Sequence, residues 1–232
     1  MSRRLLAAAA ALTLLTASVA PMSAFAAAPS SWDGLSRIDS KRFDAVYLLP
    51  GADFRSYTKL MLDPTEVALE KNWQRDYNNR TVNLGARLND REVKEMLGMV
   101  QEGFEDAFRK AYADAGYQIV TEPGADVLRV RTGVINLSVA APDVMTAGRS
   151  TSFAQEAGHA SLVIEVRDSV TNALLGRAVD TQIIGDTAPY RRNSVTNRSD
   201  FSRQFSSWAK SSVQGFGELK ARSPISAAAA TK

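Results

Sequence analysis

The chain has 232 residues, of which 45% are hydrophobic, 8% aromatic and 23% charged, the composition of a soluble globular protein with one or two domains. Disorder throughout is excluded, and a chain of this length buries roughly 70% of the surface its unfolded form exposes, enough for a core without cross-links. With no cysteine and one histidine, His159, the sequence excludes disulfides, thiolate nucleophiles, iron–sulfur clusters and nearly all zinc geometries, so no metal or other cofactor is expected.

The opening Met1-Ser2-Arg3-Arg4 is basic, residues 5–20 form an uncharged apolar run, and Pro21 is followed by Ala24-Phe25-Ala26. This three-part layout predicts a secretory signal peptide over residues 1–26, cleaved after Ala26, in preference to a retained membrane anchor. Cleavage leaves 206 residues with 26 basic and 25 acidic groups, a net charge of +1. A polyanion partner is therefore not expected, neither nucleic acid nor anionic membrane. No cysteine follows the apolar run to carry a lipid, and no later stretch approaches membrane-spanning length. The expected location is periplasmic or secreted, with another envelope protein as candidate partner.

Residues 27–42 are rich in Ala, Ser and Pro and read as a flexible N-terminal segment, and residues 223–232 as a disordered tail. Residues 43–222 between them contain neither a linker nor a repeat, which predicts a single domain. Residues 45–49 read as a buried strand closed by Pro50-Gly51, and residues 59–62 and 67–70 as short strands interrupted by Asp63-Pro64. Residues 89–115 carry Val93, Met96, Leu97, Val100, Phe104, Ala107, Phe108 and Ala111 at helical spacing. Asn89 and Glu92 suit its start and Gly116 its end. Its opposite stripe, Arg91, Glu95, Glu102, Glu105 and Arg109, reads as solvated.

Residues 117–120 follow, a further short strand that could pair in parallel with the first across the long helix. Residues 127–139 form a long strand whose apolar parity switches from Leu128, Val130 and Val134 to Ile135, Leu137 and Val139. A period of two cannot keep both sets inside, which predicts a bulge near Gly133. A loop over 141–158 follows, in which Met145 and Phe153 could cover an apolar groove. Residues 160–168 alternate cleanly and pair with 174–184 as a hairpin. Residues 201–219 form a helix with Phe201, Phe205, Trp208, Phe216 and Leu219 on one stripe, Ser199 or Asp200 as cap, and Gly215 and Gly217 weakening its end. The order predicts an α+β fold of two layers, a largely antiparallel sheet packed by the long helix and the C-terminal helix.

A catalytic set does not assemble from these residues. His159 is the one available imidazole, and Ser150, Ser152 and Ser161 near it lack the Gly-x-Ser-x-Gly elbow. Phosphate loops, Gly-x-Gly-x-x-Gly turns and calcium loops are absent. Three Asn-x-Ser/Thr sequons, at Asn79, Asn136 and Asn197, matter only in a eukaryotic secretory pathway. Asp143, Glu156, Asp168, Asp180 and Asp186 could supply a general acid–base pair if two converged in a cleft. Asp168 reads first as a turn residue bonding the backbone. Asp180 falls inside a strand, where aspartate is disfavoured, so it is either an outward residue, a partner of Arg177 or a ligand-facing carboxylate. Tyr190, Arg191 and Arg192, with Arg198, could stack on a ring and clamp a carboxylate or phosphate, or form a solvated basic loop.

Several runs add up to a family resemblance. Tyr47-Leu48-Leu49-Pro50-Gly51-Ala52-Asp53, Tyr57, Met61-Leu62-Asp63-Pro64 and Asn72-Trp73-Gln74-Arg75-Asp76 occupy the first half. Asp126-Val127-Leu128-Arg129-Val130, Ala141-Pro142-Asp143, Ala147-Gly148-Arg149-Ser150, Ala157-Gly158, Asp168-Ser169-Val170-Thr171, Arg177-Ala178-Val179-Asp180, Asn197 and Trp208-Ala209 follow. Over residues 43–219 the chain resembles the bacterial envelope family called domain of unknown function 3313. The resemblance implies an exported single-domain protein and carries no activity with it. Many relatives look like lipoproteins, whereas this chain lacks the cysteine that would hold the lipid. The resulting expectation is a non-catalytic exported binding or interaction protein. Its alternatives are a periplasmic hydrolase using paired carboxylates and a structural envelope component.

Overall fold

The computed structural model describes residues 29–140, 152–154, 156–185, 190–192 and 194–226. Ser31–Trp32 (β1) and Leu35–Ile38 (β2) form an antiparallel hairpin within residues 27–42, where composition alone suggests a tail. Asp33 and Gly34 turn the chain with φ of 52° and 79°, the geometry of a tight hairpin turn. The hairpin is held by packing: Leu35 is fully buried, and Trp32 meets the Tyr47 ring edge-on with centroids 5.6 Å apart.

Ala45–Leu48 (β3) is buried at every position, and Lys59–Leu62 (β4) and Glu66–Leu69 (β5) flank Asp63-Pro64 as expected. Trp73–Arg80 (α1) is a short polar helix that the sequence pattern does not announce, anchored by Trp73 stacked on Tyr77 at 5.4 Å. Asp90–Asp114 (α2) starts in a capping box. The Asn89 carboxamide oxygen accepts from the Glu92 N–H at 3.1 Å, and the Glu92 carboxylate accepts from the Asn89 N–H at 2.9 Å. Gly116, at φ 86°, ends it. Glu105 departs from the solvated stripe: it accepts from the Thr65 N–H at 2.8 Å and from Gln101 at 3.0 Å.

The remaining elements are Gln118–Ile119 (β6), Val127–Val139 (β7), Ser152–Ala154 (β8), Gly158–Asp168 (β9), Leu174–Ile184 (β10), Tyr190–Arg192 (β11) and Ser194–Arg222 (α3). A nine-stranded sheet runs β1-β2-β3-β10-β9-β7-β4-β6, with β5 also on β7, while β8 and β11 pair separately. The strand that pairs in parallel with β6 across α2 is β4, not β3, which lies antiparallel to β10. β4 and β5 also run parallel to β7, and the other pairs are antiparallel.

The parity switch in β7 holds for Leu137 and Val139 but not for Ile135, which precedes the slip and is half-buried on the face opposite Val134, and the extra residue is Asn136 and not a position near Gly133. Register with β9 slips between Ile135 opposite Ser161 and Ser138 opposite His159, and Asn136 takes φ 51°. Asparagine tolerates that left-handed conformation, so the sterics of the bulge select this site. Leu128, Val130 and Val134 before it and Leu137 and Val139 after it are all buried. Across the slip Gly158 sits at φ 155°, where a Cβ would lie 1.9 Å from the Ser138 carbonyl oxygen.

α2 and α3 cover one face of the sheet. Phe104 stacks on Phe108 at 4.3 Å and meets Phe205 edge-on at 5.4 Å, above a floor that includes Leu128, Val130, Leu162 and Ile164. α3 begins well before the expected cap, so Ser199 and Asp200 lie inside it, and Asp200 hydrogen-bonds Arg203 one turn on. Residues 223–226 continue the packing instead of opening a tail. The Ile225 N–H donates to Ala52 and the Gly51 N–H to Ile225, both at 2.8 Å, and Ile225 is buried. The rest of the expected tail, residues 227–232, lies outside the described residues.

Candidate functional site

A cavity of about 600 Å³ lies between α3 and the sheet. Val46, Leu48, Leu128, Ile164, Val166 and Ala178 form its floor, from β3, β7, β9 and β10. Ser212, Gly215, Phe216 and Leu219 of α3 form one wall, with Tyr112 from the end of α2. Residues 39–43, the connection from β2 to β3, cross the opening as a strap. Alternation explains the apolar floor: on paired strands, residues facing one another across the ladder point to the same side, and Leu48, Gly176, Val166 and Val130 form one such row.

The strap is turned on itself at Ser40 and fastened to α3 through Arg42. Ser40 Oγ accepts from the Arg42 and Phe43 N–H groups at 3.1 and 3.3 Å. The Arg42 guanidinium reaches α3, donating to Gln214 Oε1 at 2.5 Å and to Glu218 Oε1 at 2.6 and 3.2 Å. The hydrogen bonds from Arg42 hold the Glu218 carboxyl below the usual carboxylate range. Both side chains are partly exposed, so this fastening contributes at most about 1 kcal/mol and is compatible with opening.

Inside, Tyr112 Oη and Ser212 Oγ lie 2.6 Å apart, both residues buried. Burial pushes the Tyr112 phenol well above its ordinary pKa, so it stays protonated and able to donate. Gly215 leaves a gap beneath the strap. A Cβ there would meet Phe43 Cε2 at 3.8 Å and Arg42 Cδ at 3.9 Å, ordinary contacts.

The sequence candidates fall elsewhere. Asp180 is buried on the helix-covered side: its carboxylate accepts from Trp208 Nε1 at 2.7 Å, Gln182 Nε2 at 2.9 Å and the Asp44 N–H at 3.2 Å. Asp44 reciprocates by accepting from the Thr181 N–H at 2.9 Å. Arg177 is not its partner. It points to the other face, ion-paired to Glu165 and, at 3.0 Å, to Asp33, with its guanidinium 3.9 Å above the Trp32 ring. Asp168 closes the β9–β10 turn, accepting from the Val170 and Thr171 N–H groups at 3.1 and 2.7 Å and from Tyr57 Oη at 2.8 Å. The bond from the Thr171 N–H is the main reason its carboxyl is held below the usual range.

Register separates these two carboxylates. Asp180 faces Leu162, six residues from Asp168 along β9, or about 20 Å. That is far beyond the ~5 to 9.5 Å of an acid–base pair. Glu156 is exposed, and Asp143 and Asp186 lie outside the described residues. Tyr190, Arg191 and Arg192 form β11 opposite Ala154, Phe153 and Ser152, so these residues are strand and not loop; their side chains, like Met145 and Ser150, lie outside the described residues. Arg198 is on α3. His159 Nε2 lies 3.5 Å from Glu70 Oε2, and Ser161 Oγ bonds Thr181 Oγ1 at 2.9 Å.

Among the cavity residues, Tyr112 and Ser212 are the two buried polar ones of the helices that the sequence reading does not single out, although it holds a signal for them. Tyr112 continues the Phe104, Phe108 stripe at four-residue spacing, and Ser212 sits between Trp208 and Phe216 in the same way. A hydroxyl at a core position of each helix marks a buried polar pair.

Among the described residues no helix is long and apolar enough to cross a membrane. Similar solved structures include a PelC dodecamer from Paraburkholderia phytofirmans, at 10% identity over 70% of this chain and 96% of that chain, with a TM-score of 0.32. A Xanthomonas campestris protein of the DUF330 family is 11% identical over 80% of this chain and 94% of that one, TM-score 0.43. A minor lipoprotein from Acinetobacter baumannii is 8% identical over 68% and 94%, TM-score 0.29. No curated protein matches the chain. Over residues 23–212 the sequence matches the family described as "Protein of unknown function (DUF3313)", and the chain belongs to that family.

Proposed function

We propose that this is an exported, non-catalytic binding protein of the bacterial envelope that holds a small, largely apolar molecule between its sheet and α3. The cavity of about 600 Å³ carries this reading, since its volume and apolar floor are those of sites that bind small molecules. The ~20 Å register distance between Asp168 and Asp180 speaks against their use as a hydrolytic pair. Export rests on the leader-like residues 1–26, and amino-terminal sequencing of exported protein tests it: a start at Ala27 supports export with cleavage, a start at Met1 overturns it.

Binding is tested with 1-alkylglycerols of increasing chain length, below their micellar concentrations. Each added methylene entering the cavity should contribute about 0.8 kcal/mol, or about fourfold in Kd, until the cavity is full. Replacing Gly215 by leucine should abolish the series. Affinity that is absent at every length, or flat with length, overturns the reading.

A further inference from the structure

We infer that the cavity takes a neutral acyl compound, an ester or amide, whose carbonyl oxygen accepts a hydrogen bond from the Tyr112–Ser212 hydroxyl pair. This rests on the cavity being a ligand site and adds the chemistry of the ligand. It follows from counting protons. Two hydroxyls bring two O–H donors, and the 2.6 Å contact between them uses one, whichever way it points. The second has no acceptor among the described residues. Ser206 within α3 and Ser223 just past its end spend theirs on α3 carbonyls four residues back, at 2.8 and 2.7 Å, whereas Ser212 makes no such bond. Both Tyr112 and Ser212 are more than nine-tenths buried, and both line the cavity. A buried donor left unmet is costly, so an occupant that supplies an acceptor at this point gains over one that does not.

The acceptor should be uncharged. An anionic oxygen buried beside the pair would need a compensating cation. Of the cations lining the cavity, Arg42 is committed to Gln214 and Glu218 and Arg177 to Glu165 and Asp33, Lys41 is exposed on the strap, and Arg222 lies ten residues from Ser212 along α3, about 15 Å of helix rise. A carbonyl oxygen attached to an apolar chain meets both requirements: the chain lies against Leu128, Ile164 and Phe216, and the oxygen meets the hydroxyls.

The test compares 1-decanoylglycerol with 1-decylglycerol, which share head group and chain length and differ in the carbonyl, by calorimetric titration of the full mature chain. Wild type should bind the ester about tenfold more tightly, one neutral hydrogen bond to an otherwise unmet donor. In the Tyr112→Phe, Ser212→Ala double variant that preference should fall to near unity. Equal affinities in wild type mean that the pair makes no use of a carbonyl oxygen and overturn the inference, while binding of both ligands upholds the cavity. Binding of neither ligand removes the cavity reading as well. A preference that persists in the folded double variant also overturns it, and the wild-type comparison decides the matter even if that variant does not fold.

Discussion

Gly215 is the position where the cavity can be probed by stability alone. It lies within α3, where glycine costs about 0.8 to 1.0 kcal/mol relative to alanine. The added Cβ meets Phe43 and Arg42 at 3.8 and 3.9 Å, so it enters open space without a clash and gains some apolar contact, up to about 0.8 kcal/mol for one buried carbon. Gly215→Ala should therefore stabilise the fold by about 1 to 1.5 kcal/mol, or roughly 2 to 6 °C in Tm for a chain of this size. Gly217, two residues on, has nothing within 4 Å of a Cβ and supplies the control: its alanine variant gains helix propensity alone, about 1 kcal/mol. Urea unfolding with matched m-values gives both numbers. Destabilisation by Gly215→Ala alongside stabilisation by Gly217→Ala would refute the open gap beneath the strap.

Asp180→Ala should cost about 2 to 5 kcal/mol in urea unfolding, because Trp208 Nε1–H and the Asp44 N–H lose a buried acceptor; a loss under about 1 kcal/mol would show that neither depends on it. The depressed Asp168 carboxyl contributes stability that is complete above the ordinary aspartate pKa near 4 and is lost as pH falls through its folded value, so Asp168→Asn should flatten the acid limb of the urea midpoint below about pH 5. Superimposable acid limbs would contradict that assignment. At the bulge, Asn136→Gly should stay within about 0.5 kcal/mol of wild type and Asn136→Val should cost about 1 to 2 kcal/mol, since a β-branched residue resists φ 51°; equal stabilities would mean the bulge relocates.

What the sequence disclosed and what it withheld divide by range. α2 was readable from end to end because its stripe and its capping box, Asn89 with Glu92, are local. The β9–β10 hairpin was readable from alternation for the same reason. The bulge was legible as a necessity, but parity permits it anywhere between Val134 and Leu137, and only backbone conformation picks Asn136. The β1–β2 hairpin carried a turn signal in Asp33-Gly34, yet strands this short have no period, and its support comes from outside it, from Tyr47 on β3 and from Arg177, 144 residues beyond Asp33. The cavity is wholly non-local: Tyr112 bonds Ser212 across 100 residues, and Arg42 bonds Glu218 across 176.

Asp180 and Ser212 show how the same anomaly resolves in two ways. Each is a polar residue in an apolar pattern, and both are buried. Around Asp180 the accounting closes, with an acceptor-only carboxylate meeting three donors of the chain itself, which ties β10 to α3 and to the start of β3. Around Ser212 and Tyr112 it does not close among the described residues, because two hydroxyls that line the cavity share one bond and one donor is left over. A buried polar group whose valence is filled from within anchors the fold; one with a donor to spare among the described residues is where an added acceptor gains most.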